Sequence, residues 1–152
     1  MLAPIGSQET DENVNLSFGV SASDVDGTTP SLTTSTLPTG ASFSDNSDGT
    51  GDFDWTPTYD QAGSYDVTFY ANDEVTSDVD SEIVTITVNN VNRPPVLTGI
   101  GLQSTVEGQN LNFGVSASDP DGTTPSLTVS TLPSGGRVHR SFRRERYIRL
   151  DA

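Results

Sequence analysis

The chain has 152 residues and a formal charge of −14, a length that allows one ordinary domain or one small domain plus part of another. Six of its seven bases, Arg137, Arg140, Arg143, Arg144, Arg146 and Arg149, lie in residues 136–152, so the preceding body carries −18 with Arg93 as its only base. Such a body is repelled by phosphate backbones and anionic lipid, which argues against nucleic acid as a partner, and no apolar run is long enough for direct membrane insertion.

Cysteine is absent, which removes both a disulfide framework and a thiol nucleophile. The opening MLAPIGSQ lacks the charged and apolar regions of a leader, so a secreted protein would take its signal from outside this stretch. The first periodic segment comes next, with Leu16, Phe18, Val20 and Ala22 alternating with Ser and Gly. DVDGTTP, LPTG and DNSDGTGD then supply the Gly, Asp, Asn and Pro of tight turns. Trp55, inside FDWTP, is the expected large core aromatic. Two further alternating runs come after it: Tyr65, Val67, Phe69 and Ala71, then Val84, Ile86 and Val88. A period of two throughout predicts strands, and about seven of them in roughly 90 residues predict an all-β, antiparallel Greek-key β-sandwich.

The chain then repeats itself. NLSFGVSASDVDGTTPSLTTSTLPTG from Asn15 returns as NLNFGVSASDPDGTTPSLTVSTLPSG from Asn110, at an offset of 95 residues. Leu2, Ile5 and Gly6 likewise match Leu97, Ile100 and Gly101. Residues 1–93 are therefore read as one full repeat and 94–135 as the first part of a second, truncated one, joined at Arg93-Pro94-Pro95. A Pro-Pro pair donates nothing to a sheet and holds the chain extended, as a stiff linker should.

Taken together, ASDVDG, LPTGASFS, GTGDFDWTPTYDQAGSY, VTFYANDE and VTITVNNVNRPPV resemble the Ig / dystroglycan-type cadherin-like repeats of large bacterial and archaeal surface proteins. The resemblance covers nearly all of repeat one and the first forty residues of repeat two. It implies sandwiches strung end to end, calcium at the joints, and work as a stalk or adhesive module. Carried over residue by residue, the family's D-x-D falls on Asp24 and Asp26, and again on Asp119 and Asp121. The early acid falls on Glu12 and Glu107, the L-D-R-E acid on Asp60, the A-x-D acid on Asp73, and the linker ligands on Asn90 and Asn92. Three acidic ligands of the pattern are missing, and Arg93 stands where one belongs. A joint site would draw on Glu12, Asp60, Asn90, Asn92, Asp119 and Asp121, while Asp24, Asp26 and Asp73 would face a preceding repeat.

Calcium also has a physical argument of its own, because D-x-D offers two carboxylates to one ion and the Gly after it lets the chain turn around the ion. Against it stands the Asx turn, in which the same carboxylates accept local backbone N–H groups. DNSDGTGD divides similarly between a calcium loop without its closing Glu and a plain hairpin turn. No catalytic constellation is visible: His139 is the lone histidine, and the many Ser and Thr have no base to activate them, so the chain is not read as an enzyme.

The ending GGRVHRSFRRERYIRLDA breaks the repeat. One synonymous codon set for VHRSFRRERYIRLDA, read one base along, encodes FTDRSAGSGTFDWT, which continues repeat two without a gap. Residues 136–152 are thus read as a frameshifted form of the hairpin that in repeat one is ASFSDNSDGTGDFDWT. The rival is a genuine basic tail that contacts phosphates. Functionally, the chain is expected to be an extracellular, cell-surface adhesion or stalk repeat, partnered by neighbouring repeats and by surface glycans or another surface protein. A spacer or carbohydrate-binding accessory domain of a large secreted hydrolase, and a non-functional gene fragment, stand as alternatives.

Overall fold

The computed structural model describes residues 1–73, 79–140 and 146–150, with the backbone alone at 139–140 and 146–150. The chain divides into two compact units, Met1–Val91 and Asn92–Ala152. In the first unit β1 (Gln8–Asp11), β2 (Leu16–Ser21), β3 (Ser31–Thr34), β4 (Ser42–Asp45), β5 (Thr50–Trp55), β6 (Gly63–Asn72) and β7 (Val79–Asn89) form two sheets. One has the order β1-β7-β6-β3 and the other β2-β5-β4.

The apolar positions of the three alternating runs face one another across the two sheets, as the period of two requires. Val20, Phe53, Trp55, Val67, Phe69, Val84, Ile86 and Val88 are buried, and Leu2, Leu32 and Ala71 complete the core. Phe18 stacks on Phe53 with ring centroids 4.8 Å apart, and Phe69 meets Phe43 edge-on at 5.4 Å. Trp55 is fully buried, with its indole N–H donating to the Thr39 carbonyl at 3.2 Å and its ring edge-on to Tyr65 at 5.0 Å. That satisfied N–H is what allows so large an aromatic to lie inside.

The first segment changes sheets as it runs. Leu2 bridges Ala22 beside β2, and β1 then joins β7 in parallel, with Gln8 opposite Ile86 and Asp11 opposite Asn89. Between those two pairings, side chains of β7 take up the backbone donors. Asp80 accepts from Leu2 N–H at 2.7 Å, and Glu82 accepts from Ile5 and Gly6 N–H at 2.8 Å each.

The second unit contains β8 (Val96–Leu97), β9 (Leu111–Val115), β10 (Ala117–Ser118), β11 (Gly136–Arg140) and β12 (Arg146–Leu150). β8 pairs with β10, and the remaining three strands form a sheet in the order β11-β12-β9. This sheet repeats β4-β5-β2 in register at the same offset: Leu16↔Trp55 becomes Leu111↔Leu150, and Ser42↔Asp54 becomes Arg137↔Arg149. Residues 126–129, the counterpart of β3, are not a strand. β3 exists by pairing with β6, and the second repeat has no such strand among its described residues. Arg143 and Arg144 lie outside the described residues.

Packing across the β4–β5 hairpin leaves no room at Gly51, where an added Cβ would sit 2.6 Å from the Phe43 ring and 2.9 Å from the Ser44 carbonyl oxygen. Gly51→Ala is expected to destabilise the first unit by about 1–3 kcal/mol in urea unfolding, the usual cost of overpacking; an unchanged midpoint would mean the strands separate freely.

Candidate functional site

The two D-x-D-G segments fold alike. Asp24 accepts the Asp26 N–H through Oδ1 at 2.7 Å, and its carbonyl accepts the Gly27 N–H at 3.4 Å. Asp119 does the same for Asp121 at 2.9 Å and Gly122 at 3.1 Å. Gly27 and Gly122 hold φ of 81° and 77°, a left-handed conformation that admits Gly without steric cost. Both segments are thus Asx turns, with the first carboxylate of each engaged by its own backbone.

The second acids differ in their partners. In the second unit Arg93 clasps Asp121: its Nε donates to Oδ1 at 2.7 Å and its backbone N–H donates to Oδ2. A guanidinium Nη also donates to the Pro120 carbonyl at 2.9 Å. The Asp121 side chain is only 9% exposed in this clasp. The Arg93 backbone and side-chain hydrogen bonds, with the guanidinium charge, hold its carboxyl below the ordinary value of 3.8. In the first unit no described residue donates to the carboxylate of Asp26, which is exposed. Asp24, Asp26, Asp73 and Asp80 line one open cavity of about 280 Å³.

Glu12 is held by backbone donors of its own unit. It is buried, 2% exposed, with Oε1 accepting the Ala62 N–H at 3.2 Å and Oε2 accepting the Val91 N–H at 2.8 Å. It therefore ties the turn before β6 to the chain leaving β7. Asp60 and Asn90 are exposed in the first unit, and Asn92 is exposed in the second. Glu107, the counterpart of Glu12, is exposed.

Calcium requires six to eight oxygen ligands around one point. Within each unit the described residues form no group of three or more acids or histidines close enough to hold an ion. Both Glu12 oxygens and both Asp121 oxygens already accept hydrogen bonds. Among the described residues, neither unit makes a calcium cage as placed. DNSDGTGD is the hairpin between β4 and β5. Asp45 accepts from Leu32 and Ser47 N–H at 3.1 and 3.0 Å, and Asp48 accepts from Thr50, whose hydroxyl and backbone hold that carboxyl below 3.8.

Asp80 and Glu82 were not singled out by the sequence reasoning, although a signal exists. They continue the even-numbered series of Val84, Ile86 and Val88 beyond the core, with Glu82 half-buried and Asp80 exposed, on the face that the opening segment crosses.

The family described as "Putative Ig domain" has a model that matches residues 1–89. No curated protein matches the sequence. Among solved structures, the titin domains Z1Z2 in complex with telethonin align with a TM-score of 0.51 and 16% identity, covering 100% of this chain and 81% of that one. An endo-fucoidan hydrolase from glycoside hydrolase family 107 aligns at 0.49 and 17%, covering 97% of this chain and 23% of that one. At such identities the titin likeness speaks to the fold, an Ig-like sandwich.

Glu12 yields a test that separates scaffold from ligand. Glu12→Gln turns an amide donor toward one of its two backbone partners and should cost about 1–3 kcal/mol. The loss should be equal in calcium and in EDTA when followed by urea unfolding; a loss seen only in calcium would make Glu12 a metal ligand.

Proposed function

Because the chain belongs to the "Putative Ig domain" family, we propose that it is a non-catalytic structural repeat of an extracellular surface protein, a stalk or adhesion module working in series with neighbouring repeats. The observation that carries this reading is the path of the chain through the first unit. Residues 2–11 run beside residues 80–89 in the same direction, from Leu2 at Asp80, through Ile5 and Gly6 at Glu82, to Asp11 opposite Asn89. The chain therefore enters at one end of β7 and leaves at the other, roughly 30 Å apart at the rise of a strand.

A module entered and left at opposite ends is strung in line and lengthens an array by its own long axis. Tension on its ends would load the parallel β1–β7 ladder in shear, where its hydrogen bonds must fail together rather than one at a time. The stiff Arg93-Pro94-Pro95 segment suits the same use. Identical mechanics would serve a spacer attached to a secreted hydrolase.

Residues 136–152 enter this proposal as the second repeat's hairpin read in a shifted frame, a reading supported by the shared register of β9-β12-β11 and β2-β5-β4. The coding DNA is expected to show one extra base near the codons for Gly135 and Gly136; codons that do not yield the FDWT reading after its removal would overturn it.

Pulling the chain by its ends tests the main reading. The first unit, Met1–Val91, should unfold in one cooperative step with a contour gain of roughly 280 Å. Gradual lengthening at low force, without that step, would rule out a load-bearing repeat.

A further inference from the structure

The clasp on Asp121 is built from parts that the first unit also possesses. The Asx turn that sets Asp121 is repeated at Asp24-Val25-Asp26-Gly27. The strand pair that leads the chain to that turn is repeated as well. Leu97 pairs with Ala117 and Leu2 with Ala22, while Thr98 N–H donates to Ser116 and Ala3 N–H to Ser21, both at 2.8 Å. Arg93 lies four residues ahead of Leu97, with Pro94 and Pro95 between them fixing φ. A segment of the same kind placed four residues ahead of Leu2 would bring its arginine to Asp26. There the carboxylate is exposed, takes no hydrogen bond from any described residue, and borders the 280 Å³ acidic cavity.

We propose that Asp26 is a receptor for the guanidinium of an Asn-Arg-Pro-Pro linker from a neighbouring repeat. At each D-x-D turn the arginine takes the place of a metal cation. Guanidinium is the fitting partner because Arg93 uses its planar fork twice, on the Asp121 carboxylate and on the Pro120 carbonyl, while its backbone N–H fills the second carboxylate oxygen. At Asp26 the matching acceptors are its own carboxylate and the carbonyl of Val25, with Asp24, Asp73 and Asp80 adding negative potential. The inference rests on the reading of the chain as a module in series with other repeats.

The test extends the full chain ahead of Met1 with Val-Asn-Arg-Pro-Pro and compares it with a Val-Asn-Ala-Pro-Pro extension, each in EDTA and in calcium. The arginine form should melt about 2–4 °C higher in the transition of the first unit, as a part-buried ion pair on a domain of this size allows. Its side-chain Nε–H should appear as a protected NMR resonance. Asp26→Asn, at an exposed turn outside the core, should abolish both effects, and lysine in place of the arginine should recover only part of the melting gain. Equal melting of the arginine and alanine forms, a gain that survives Asp26→Asn, or a gain that needs calcium would each overturn the proposal. None of these outcomes bears on the pulling experiment, so failure of the clasp and failure of the serial-module reading remain distinguishable.

Discussion

The pairing of the opening segment with β7 is the constraint on which the first sandwich depends. β7 supplies Val84, Ile86 and Val88 to the core, the ladder for β1 and β6, and the carboxylates of Asp80 and Glu82 for the donors that no ladder reaches. The second unit has no such strand among its described residues, and its counterpart residues stand differently. Leu2 is 8% exposed and its counterpart Leu97 is 56% exposed. Glu12 is buried and Glu107 is exposed, and residues 103–106 are not a strand although they repeat β1 in position. Two closely similar sequences thus reach different states, one with such a partner strand and the other with none among its described residues. A strand edge without a ladder forfeits both its hydrogen bonds and its apolar cover.

Features set by neighbouring residues survive that loss. Thr10 bonds the Asp11 and Val14 carbonyls, and Thr105 bonds those of Val106 and Gln109 in the same way. The left-handed positions Asn13 and Gly108 correspond too. For this reason the turns, the alternating strands β2, β6 and β7, and the core position of Trp55 were legible in the sequence. The parallel placement of β1, the dependence of β3 on β6 and the role of Glu12 were not. Glu12 receives its donors from 50 and 79 residues away, and no local pattern announces which N–H groups a fold will deliver to a carboxylate.

The D-x-D turns illustrate the same division for the candidate site. Their backbone geometry is written locally, in two acids and a glycine. Their chemistry depends on what arrives from elsewhere in the chain. An aspartate pair in an Asx turn has one carboxylate committed and one to offer, and in this very acidic body the sole base before the tail meets that second carboxylate. The Arg93 guanidinium is held by two acceptors, the Asp121 carboxylate and the Pro120 carbonyl, whereas calcium needs six to eight, so a linker poor in acids suits the arginine better than the metal. On the proposed reading, Arg93 at a linker position where the repeats it resembles carry an acid is a coherent change of cation.

The tail presents the opposite combination, agreement in length and disagreement in character. β12 meets β9 and β11 at the offset that relates β5 to β2 and β4, so the number of residues between partners is kept. The residue types are not kept. Arg137 is in register with Arg149 and Arg140 with Arg146, where the first repeat pairs Ser42 with Asp54 and Asp45 with Gly51. Arg146 takes the position of Gly51, which in the first unit has no space even for a Cβ. Selection for a binding tail has no reason to preserve register with a distant hairpin, and selection for a hairpin would not place arginine at its tightest point. The proposed slip of reading frame would do both at once, because it would replace every side chain while leaving the count of residues intact.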